Sequence, residues 1–134
     1  HKATGMRFFF MNTHGALSEE AKTGYARVFE LIEKRYNTDE LPSFLVGDMN
    51  AVATHDMMKT ILGYWKDSYV DAQSRNGIAN TFNSYSNPNG VRRIDYVLYR
   101  GVPAPSLYCC DNTLYNGMYA SDHFPVYADF TISK

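Results

Sequence analysis

Four short polar motifs, each at one end of an apolar run, carry the side chains of this sequence that could do chemistry. They are, in chain order, Asn12-Thr13-His14, Gly47-Asp48-Met49-Asn50, Arg93-Ile94-Asp95-Tyr96 and Ser121-Asp122-His123. A strand that ends in Asp, Asn or His delivers polar groups to one rim of a sheet, where a site can form. Carboxylates and amides bind hard cations and position water, while histidine moves protons near neutral pH. Four such junctions indicate hydrolytic chemistry.

The second motif places Asp48 and Asn50 two positions apart, directly after a short apolar run. If the extended conformation persists, both side chains point to the same side and can converge on one phosphate. The alternative is a plain turn, because Gly-Asp and Asn are good turn formers, and that reading is favoured for this motif taken alone. Together with the other three motifs, the pair is interpreted as part of a site.

The four motifs together resemble those of the endonuclease/exonuclease/phosphatase superfamily, whose members are divalent-metal-dependent phosphodiesterases and phosphatases. Order, residue types and local context agree over nearly the whole chain, from the strand at Arg7 to the last strand near Ile132. The resemblance implies an α/β fold, namely half of a four-layer α/β/β/α sandwich. Family domains are substantially longer, so residues 1–134 are predicted to be the C-terminal part of one such domain, with the N-terminal half absent.

The resemblance also implies a role for each motif residue. Asp48 would orient or deprotonate the attacking water, and both Asp48 and Asp122 would bind the metal. Asn50 would donate a hydrogen bond to a phosphoryl oxygen. His14 and His123 would contact the phosphate, and His14 would assist the leaving group.

Asp95 would accept a hydrogen bond from His123 and fix the tautomer of its ring. An Asp within an apolar strand is unfavourable unless it is paired, which supports this partner independently of the resemblance. The alternative is an exposed Asp at a sheet edge, which the apolar neighbours make less favourable. Asn12 would steady the strand end on the substrate side. The adjacent Arg92 and Arg93 could meet a phosphate, and Arg93 is the one assigned to the substrate, although two exposed arginines on a strand are usually solvated or salt-bridged.

The expected cofactor is Mg²⁺ or Mn²⁺, but the metal site in this chain is predicted to be incomplete. In the family, the first half of the domain supplies an Asn and a Glu that help to hold the metal. One Asp with weak amide ligands is a poor Mg²⁺ site, because this ion requires several oxygens in octahedral geometry. We therefore expect weak metal binding, slow or no turnover by the chain alone, and a bare apolar sheet face. The N-terminal half is expected as a separate chain or an intermolecular substitute.

Helices and strands must position these motifs, and the hydrophobic periodicity predicts several of them. A helix is predicted from Ser18, its cap, to Tyr36, and a shorter one from the cap Thr54 to Gly63. The first strand is expected to be buried on both faces. The predicted strands are Arg7–Met11, Phe44–Val46, Ile94–Tyr99, Leu107–Cys110 and Phe124–Ile132. The stripe expected to be buried on the first helix is Tyr25, Val28, Phe29, Ile32 and Tyr36.

Less regular segments separate these elements. Residues 65–72 and 80–85 are predicted to form short strands or turns, and residues 86–90 a turn. His1 and His55 match no motif of the family and are predicted to be surface residues. The adjacent Cys109 and Cys110 do not suit a disulfide with each other, so the compartment stays open.

The composition limits the partners. A formal net charge of -1 provides no broad basic field, so nucleic acid is a possible but not a favoured substrate. No membrane span is visible in the sequence. The leading interpretation is a phosphoesterase acting on a phosphodiester or phosphomonoester. The alternative is a catalytically inactive half-domain that acts as a binding module, which would be indifferent to replacement of His123.

Overall fold

In the computed structural model, which describes residues 1–132, two β-sheets and four short helices form a mixed α/β structure. The helices are α1 (Glu19–Tyr25), α2 (Val28–Tyr36), α3 (Asp56–Leu62) and α4 (Ser68–Asp71). The strands are β1 (Phe9–His14), β2 (Ser43–Asp48), β3 (Lys66–Asp67), β4 (Ser74–Gly77), β5 (Asp95–Arg100), β6 (Leu107–Cys110) and β7 (Val126–Asp129).

The larger sheet has the strand order β1-β2-β5-β3 and creates the rim on which the polar motifs meet. Strands β1 and β2 are parallel, and β5 is antiparallel to β2. The register pairs His14 with Asp48 and Asp48 with Asp95. Neighbouring strands are about 4.8 Å apart. The end of β1, the end of β2 and the start of β5 therefore present three functional side chains in one row.

One face of this sheet packs against the helices and holds the main core. Leu45 and Leu98 are fully buried there, as is Trp65, which follows α3. Met49 is also part of this core and anchors the loop that carries Asn50, between β2 and α3. Other members of this core are Phe29, Met57, Met58, Ile61 and Tyr96.

The smaller sheet has the order β4-β6-β7 and covers part of the opposite face. The ring of Phe130 packs edge-on against Phe44, with centroids 5.0 Å apart, and against Tyr99 at 5.1 Å. The prediction of an entirely bare sheet face was therefore wrong in this region, because the chain supplies part of its own cover.

The cover does not extend to the edge strand β1. Phe8 is 41% exposed and Phe10 is 55% exposed, so the prediction that this strand is buried on both faces was wrong. Met11 and Tyr25 pack with the core on the helical side. The opposite side of β1 remains as an apolar edge.

The predicted helix from Ser18 to Tyr36 is two helices, with a turn at residues 26–27. Ser18 does cap the first of them, accepting from the Ala21 N–H. Within the predicted buried stripe, Phe29 is buried as expected, but Val28 and Tyr36 are exposed.

Other boundaries also differ from the sequence-based expectations. His55, not Thr54, caps α3, because its Nδ1 accepts from the Met57 N–H. The other ring nitrogen of His55, Nε2, lies 2.7 Å from Glu19. Strand β6 has its predicted bounds, β7 is shorter than predicted, and β4 was missed. Among the described residues, no helix is both long and apolar enough to cross a membrane.

Candidate functional site

The row of side chains at the sheet rim opens into a cleft of about 510 Å³. His14 Nε2 lies 3.4 Å from Asp48 Oδ2, and His123 Nε2 lies 4.0 Å from the same oxygen. His123 comes from the loop before β7, so the cleft lies where the two sheets meet. The residues that line it are His14, Leu17, Asp48, Asn50, Phe82, Arg92, Ile94, Asp95, Asp122 and His123.

Glycine at position 47 is required for the approach of β1 and β2 beside the site. Gly47 has φ +129°, and a Cβ there would lie 1.9 Å from the carbonyl oxygen of Thr13. No other residue can adopt this conformation and leave room for the neighbouring strand. The local sequence therefore fixes the place where Asp48 leaves the sheet.

The extended conformation does not persist beyond Asp48, so the condition for both side chains to point to the same side is not met, and the backbone forms the turn given as the alternative. Asn50 has φ +49°, and its backbone N–H donates to Asp48 Oδ1 at 2.6 Å. Its side-chain Nδ2 donates to the Gly15 carbonyl at 2.9 Å. The motif thus forms a tight turn and still places Asn50 in the cleft, with one amide hydrogen left for another acceptor.

Tyr96 holds the chain just after this turn through a hydrogen bond. Its hydroxyl lies 3.0 Å from the Ala51 carbonyl, to which it donates, and 3.3 Å from the Arg93 carbonyl. Burial raises the pKa of Tyr96 to about 12, so the phenol remains a donor over the physiological range. Tyr96, from the Arg93-Ile94-Asp95-Tyr96 motif, therefore connects β5 with the loop after Asp48.

His123 is oriented by Asp95. The ring atom Nδ1 lies 2.8 Å from Asp95 Oδ2. A carboxylate can only accept, so Nδ1 carries the proton and Nε2 is left to face Asp48. Both carboxylates and the ring are half-buried, whereas His14 is exposed.

Thr81 is a site residue that sequence reasoning missed. It is fully buried, and its hydroxyl donates to Asp95 Oδ2 at 2.5 Å. The same oxygen of Thr81 accepts from the backbone N–H groups of Ile94 and Asp95, each at 3.1 Å. The sequence did indicate that an Asp in the apolar strand β5 needs hydrogen-bond donors. Residues 80–85, however, lack the periodicity that would have shown that Thr81 lies beside Asp95.

Asp48, Asp95 and His123 could together hold a metal ion, since one ligand atom of each lies within 4.8 Å of the others. Asp95 and His123 already bond to each other, so fewer lone pairs are free for a metal ion than three unpaired ligands would offer. Asp122 lines the cleft but is outside this group. Its Oδ1 accepts from the Ser121 hydroxyl at 3.3 Å.

Arg93 and Asn12 are not among the residues that line the cleft. The guanidinium of Arg93 makes a two-pronged ion pair with the buried Asp67, at 2.6 and 3.2 Å. Of the adjacent arginines, it is Arg92 that faces the cleft, in contrast to the prediction for Arg93. Asn12 is an exposed residue of β1, two positions before His14.

Comparisons with known proteins agree on one family. The model of the Endonuclease/Exonuclease/phosphatase family matches residues 3–123. No curated protein sequence matches the chain significantly.

Three solved structures illustrate the similarity in fold. An endonuclease/exonuclease/phosphatase from Bacteroides vulgatus has 27% identity and a TM-score of 0.88, over 98% of this chain and 52% of that one. The mannosyl-6-phosphatase of Bacteroides thetaiotaomicron has 28% identity and a TM-score of 0.83, over 98% and 54%. Sphingomyelinase C from Streptomyces griseocarneus, with 20% identity and a TM-score of 0.62 over 91% and 52%, shares the fold alone. The chain spans about half the length of the solved structures that it matches.

Proposed function

The chain belongs to the endonuclease/exonuclease/phosphatase family, and we propose that its cleft hydrolyses a phosphodiester or phosphomonoester bond. The family contains phosphatases, and one of the similar structures is a mannosyl-6-phosphatase. The observation that carries the proposal is the convergence of Asp48, Asp95 and His123 on one point of the cleft. Two carboxylates on either side of an imidazole are suited to activating water and stabilising developing charge.

The proposed mechanism uses the gap between His123 and Asp48. Their facing atoms are 4.0 Å apart, so the attacking water bound at Asp48 and a phosphoryl oxygen bound at His123 would be neighbours. Asp48 orients the attacking water and accepts its proton. Asp95 stabilises the His123 ring when both nitrogens carry protons, so Nε2 then donates to a phosphoryl oxygen.

His14 and Asn50 complete the proposed contacts with the phosphate. The second amide hydrogen of Asn50 is available for a phosphoryl oxygen, since the first bonds to Gly15. His14 is exposed beside Asp48, where it can protonate the leaving oxygen as the bond to phosphorus breaks. Asn12, two residues away on β1, steadies this strand end.

A divalent cation, Mg²⁺ or Mn²⁺, is proposed as the cofactor. We propose that Asp48 and Asp122, which both line the cleft, hold it, although the ligand atoms that lie within 4.8 Å of one another belong to Asp48, Asp95 and His123. When bound, the ion would neutralise charge on the phosphoryl oxygens and lower the pKa of a bound water. Two carboxylates fill only part of an octahedral Mg²⁺ shell, so the fit is partial.

The partial metal shell supports a second component. We propose that an N-terminal half of the same domain, as a separate chain or an intermolecular substitute, supplies the missing oxygens and completes the four-layer sandwich. The length of the similar structures, about twice that of this chain, is consistent with this proposal.

The test is hydrolysis of p-nitrophenyl phosphate and bis(p-nitrophenyl) phosphate in MgCl₂. The chain is assayed alone and mixed with the part of the Bacteroides vulgatus relative that it does not cover. We expect little turnover by the chain alone and a metal-dependent increase in the mixture. His123→Ala should lower the rate of the mixture about 10²–10⁴-fold, a typical loss for a general acid or base. His1→Ala, at an exposed position outside the cleft, is the matched control. Full activity of His123→Ala, or of the mixture in excess chelator, would rule the mechanism out.

A second candidate function is a catalytically inactive binding module, and the observation that favours it is the exposure of Phe10 on β1 and of Phe8 just before this strand. This module would associate tightly through the apolar edge without turnover. Association that is unaffected by His123→Ala, together with no hydrolysis in any mixture, would support it.

A further inference from the structure

Arg92 is a cation of the cleft that the proposed mechanism does not use. It is exposed, and among the ion pairs of residues 1–132 none includes it. Arg93 is fully engaged by Asp67, so the two adjacent arginines have different environments. A planar guanidinium without a carboxylate partner is suited to bind a phosphate or carboxylate through two parallel hydrogen bonds.

The position of Arg92 is held by its surroundings. Its guanidinium lies over the Phe82 ring, 5.1 Å from the centroid. Its backbone carbonyl accepts from the N–H groups of Thr81 and Phe82, each at 3.0 Å. A cation stacked on an aromatic face and fixed at its backbone loses less freedom when it binds a ligand.

The same Phe82 ring connects Arg92 with the reacting centre. The His123 ring packs edge-on against it, with ring centroids 5.1 Å apart. The carboxylates that line the cleft have partners of their own: Asp95 bonds to Thr81 and His123, Asp48 to the Asn50 N–H, and Asp122 to the Ser121 hydroxyl. An anion at Arg92 would therefore lie one aromatic ring away from a phosphate at His123.

From this arrangement we propose that Arg92 and Phe82 form a specificity subsite for a second anionic group on the substrate. The substrate class is a phosphate ester of a small polar molecule that carries another phosphate or a carboxylate a few bonds from the scissile group. This inference rests on the proposed function, since it assumes that the scissile phosphate lies at His123. Arg92 binds the non-reacting anion, and Phe82 keeps the guanidinium in place.

The experiment measures binding, so it does not depend on turnover. Titration calorimetry of the chain in MgCl₂ compares glucose 6-phosphate with glucose 1,6-bisphosphate, and glycerol 3-phosphate with 3-phosphoglycerate. The first pair tests a second phosphate and the second pair a carboxylate. We expect the doubly anionic member of at least one pair to bind about tenfold or more tightly, the gain typical of a charge-assisted hydrogen-bonded pair.

Arg92→Gln should abolish this preference, and Arg92→Lys should restore only part of it because it lacks the planar fork. Arg35→Gln is the matched control, since Arg35 is another exposed arginine that stacks on an aromatic ring, at 5.5 Å from Tyr36 on α2, and it is not among the residues that line the cleft. Equal affinities within both pairs, or no measurable binding of any ligand, would overturn the inference. So would an equal loss for all four ligands in Arg92→Gln, because Arg92 would then contact the scissile phosphate. A preference without hydrolysis of any ligand would leave the subsite standing and count against the proposed function alone.

Discussion

At the scale of residues, one carboxylate oxygen of Asp95 links a strand of the larger sheet to a loop of the smaller sheet. Asp95 Oδ2 accepts from the hydroxyl of Thr81 and faces the ring nitrogen of His123. Asp95 begins a strand of the larger sheet, whereas His123 lies in the loop before β7 of the smaller sheet. The orientation of the imidazole therefore depends on how well this carboxylate is held.

Thr81→Val removes the hydroxyl at nearly constant volume. Asp95 then loses a donor, the buried Ile94 N–H loses its acceptor at a cost of about 1–3 kcal/mol, and the part-buried Asp95 N–H loses its acceptor at a smaller cost. We expect the free energy of unfolding in urea to fall by about 2–4 kcal/mol on the same basis. Thr81→Ser retains all three hydrogen bonds and should recover most of the loss. Equal free energies of unfolding for Thr81→Val and wild type would show that these three hydrogen bonds make no net contribution to stability.

Cys110 provides a residue-scale prediction that depends on pH. Burial, and then the neighbouring Cys109, raise the pKa of its thiol from 9.0 to about 12. The unfolded chain loses this proton near pH 9, whereas the folded chain retains it. The stabilisation is thus complete below pH 9 and is lost as the pH rises toward 12, by up to about 1.4 kcal/mol per pH unit.

The measurement is the urea midpoint of wild type and Cys110→Ala between pH 8 and 10. The slope with pH should be steeper for wild type, because only wild type carries the buried thiol. Identical slopes for wild type and Cys110→Ala would contradict a raised pKa of the Cys110 thiol in the folded chain. At pH 8, iodoacetamide should label Cys110 only after unfolding.

At the scale of elements, the sequence predicted the strands better than the helix boundaries. Apolar runs next to polar motifs located β2 and β5, because burial between a helical layer and a second sheet requires such runs. A short apolar run was also enough to give β6 its bounds. The break at residues 26–27 and the exposure of Val28 had no local signal beyond Gly24, since tertiary packing decides which face of α2 is buried. Thr81 was missed as the residue that supports Asp95 because its segment has no regular periodicity, and the sequence offered no way to tell which of the adjacent Arg92 and Arg93 faces the cleft.

Gly47→Ala tests the approach of β1 and β2. An added Cβ would overlap the Thr13 carbonyl, and the positive φ would strain any side chain. We expect a loss of about 3 kcal/mol or more in the free energy of unfolding, from strain and overpacking combined. Gly24→Ala is the matched control. A Cβ at Gly24 would meet nothing within 4 Å, and alanine in a helix should add about 0.5–1 kcal/mol of stability. Comparable effects of the two substitutions in thermal unfolding would refute the packing argument.

At the scale of the whole molecule, the cover provided by the smaller sheet is uneven. Phe130 closes the middle of the larger sheet against Phe44 and Tyr99, whereas the edge at β1 keeps two half-exposed phenylalanines. An apolar edge strand with unpaired backbone groups is prone to associate with another chain. We therefore expect the purified chain to self-associate as its concentration rises, unless a complementary polypeptide occupies the edge.

Phe10→Ser tests this expectation in sedimentation velocity. Because Phe10 is already 55% exposed, the substitution removes little burial within the chain and should lower the free energy of unfolding by no more than about 1 kcal/mol. It should nevertheless shift the association equilibrium toward the monomer, since the lost area lies on the edge. Leu31→Ser is the control, because Leu31 is 63% exposed on α2, in the helical layer. If both variants shift the equilibrium equally, general surface hydrophobicity drives the association. If neither does and the chain stays monomeric at high concentration, the edge at β1 is stable in water without any cover.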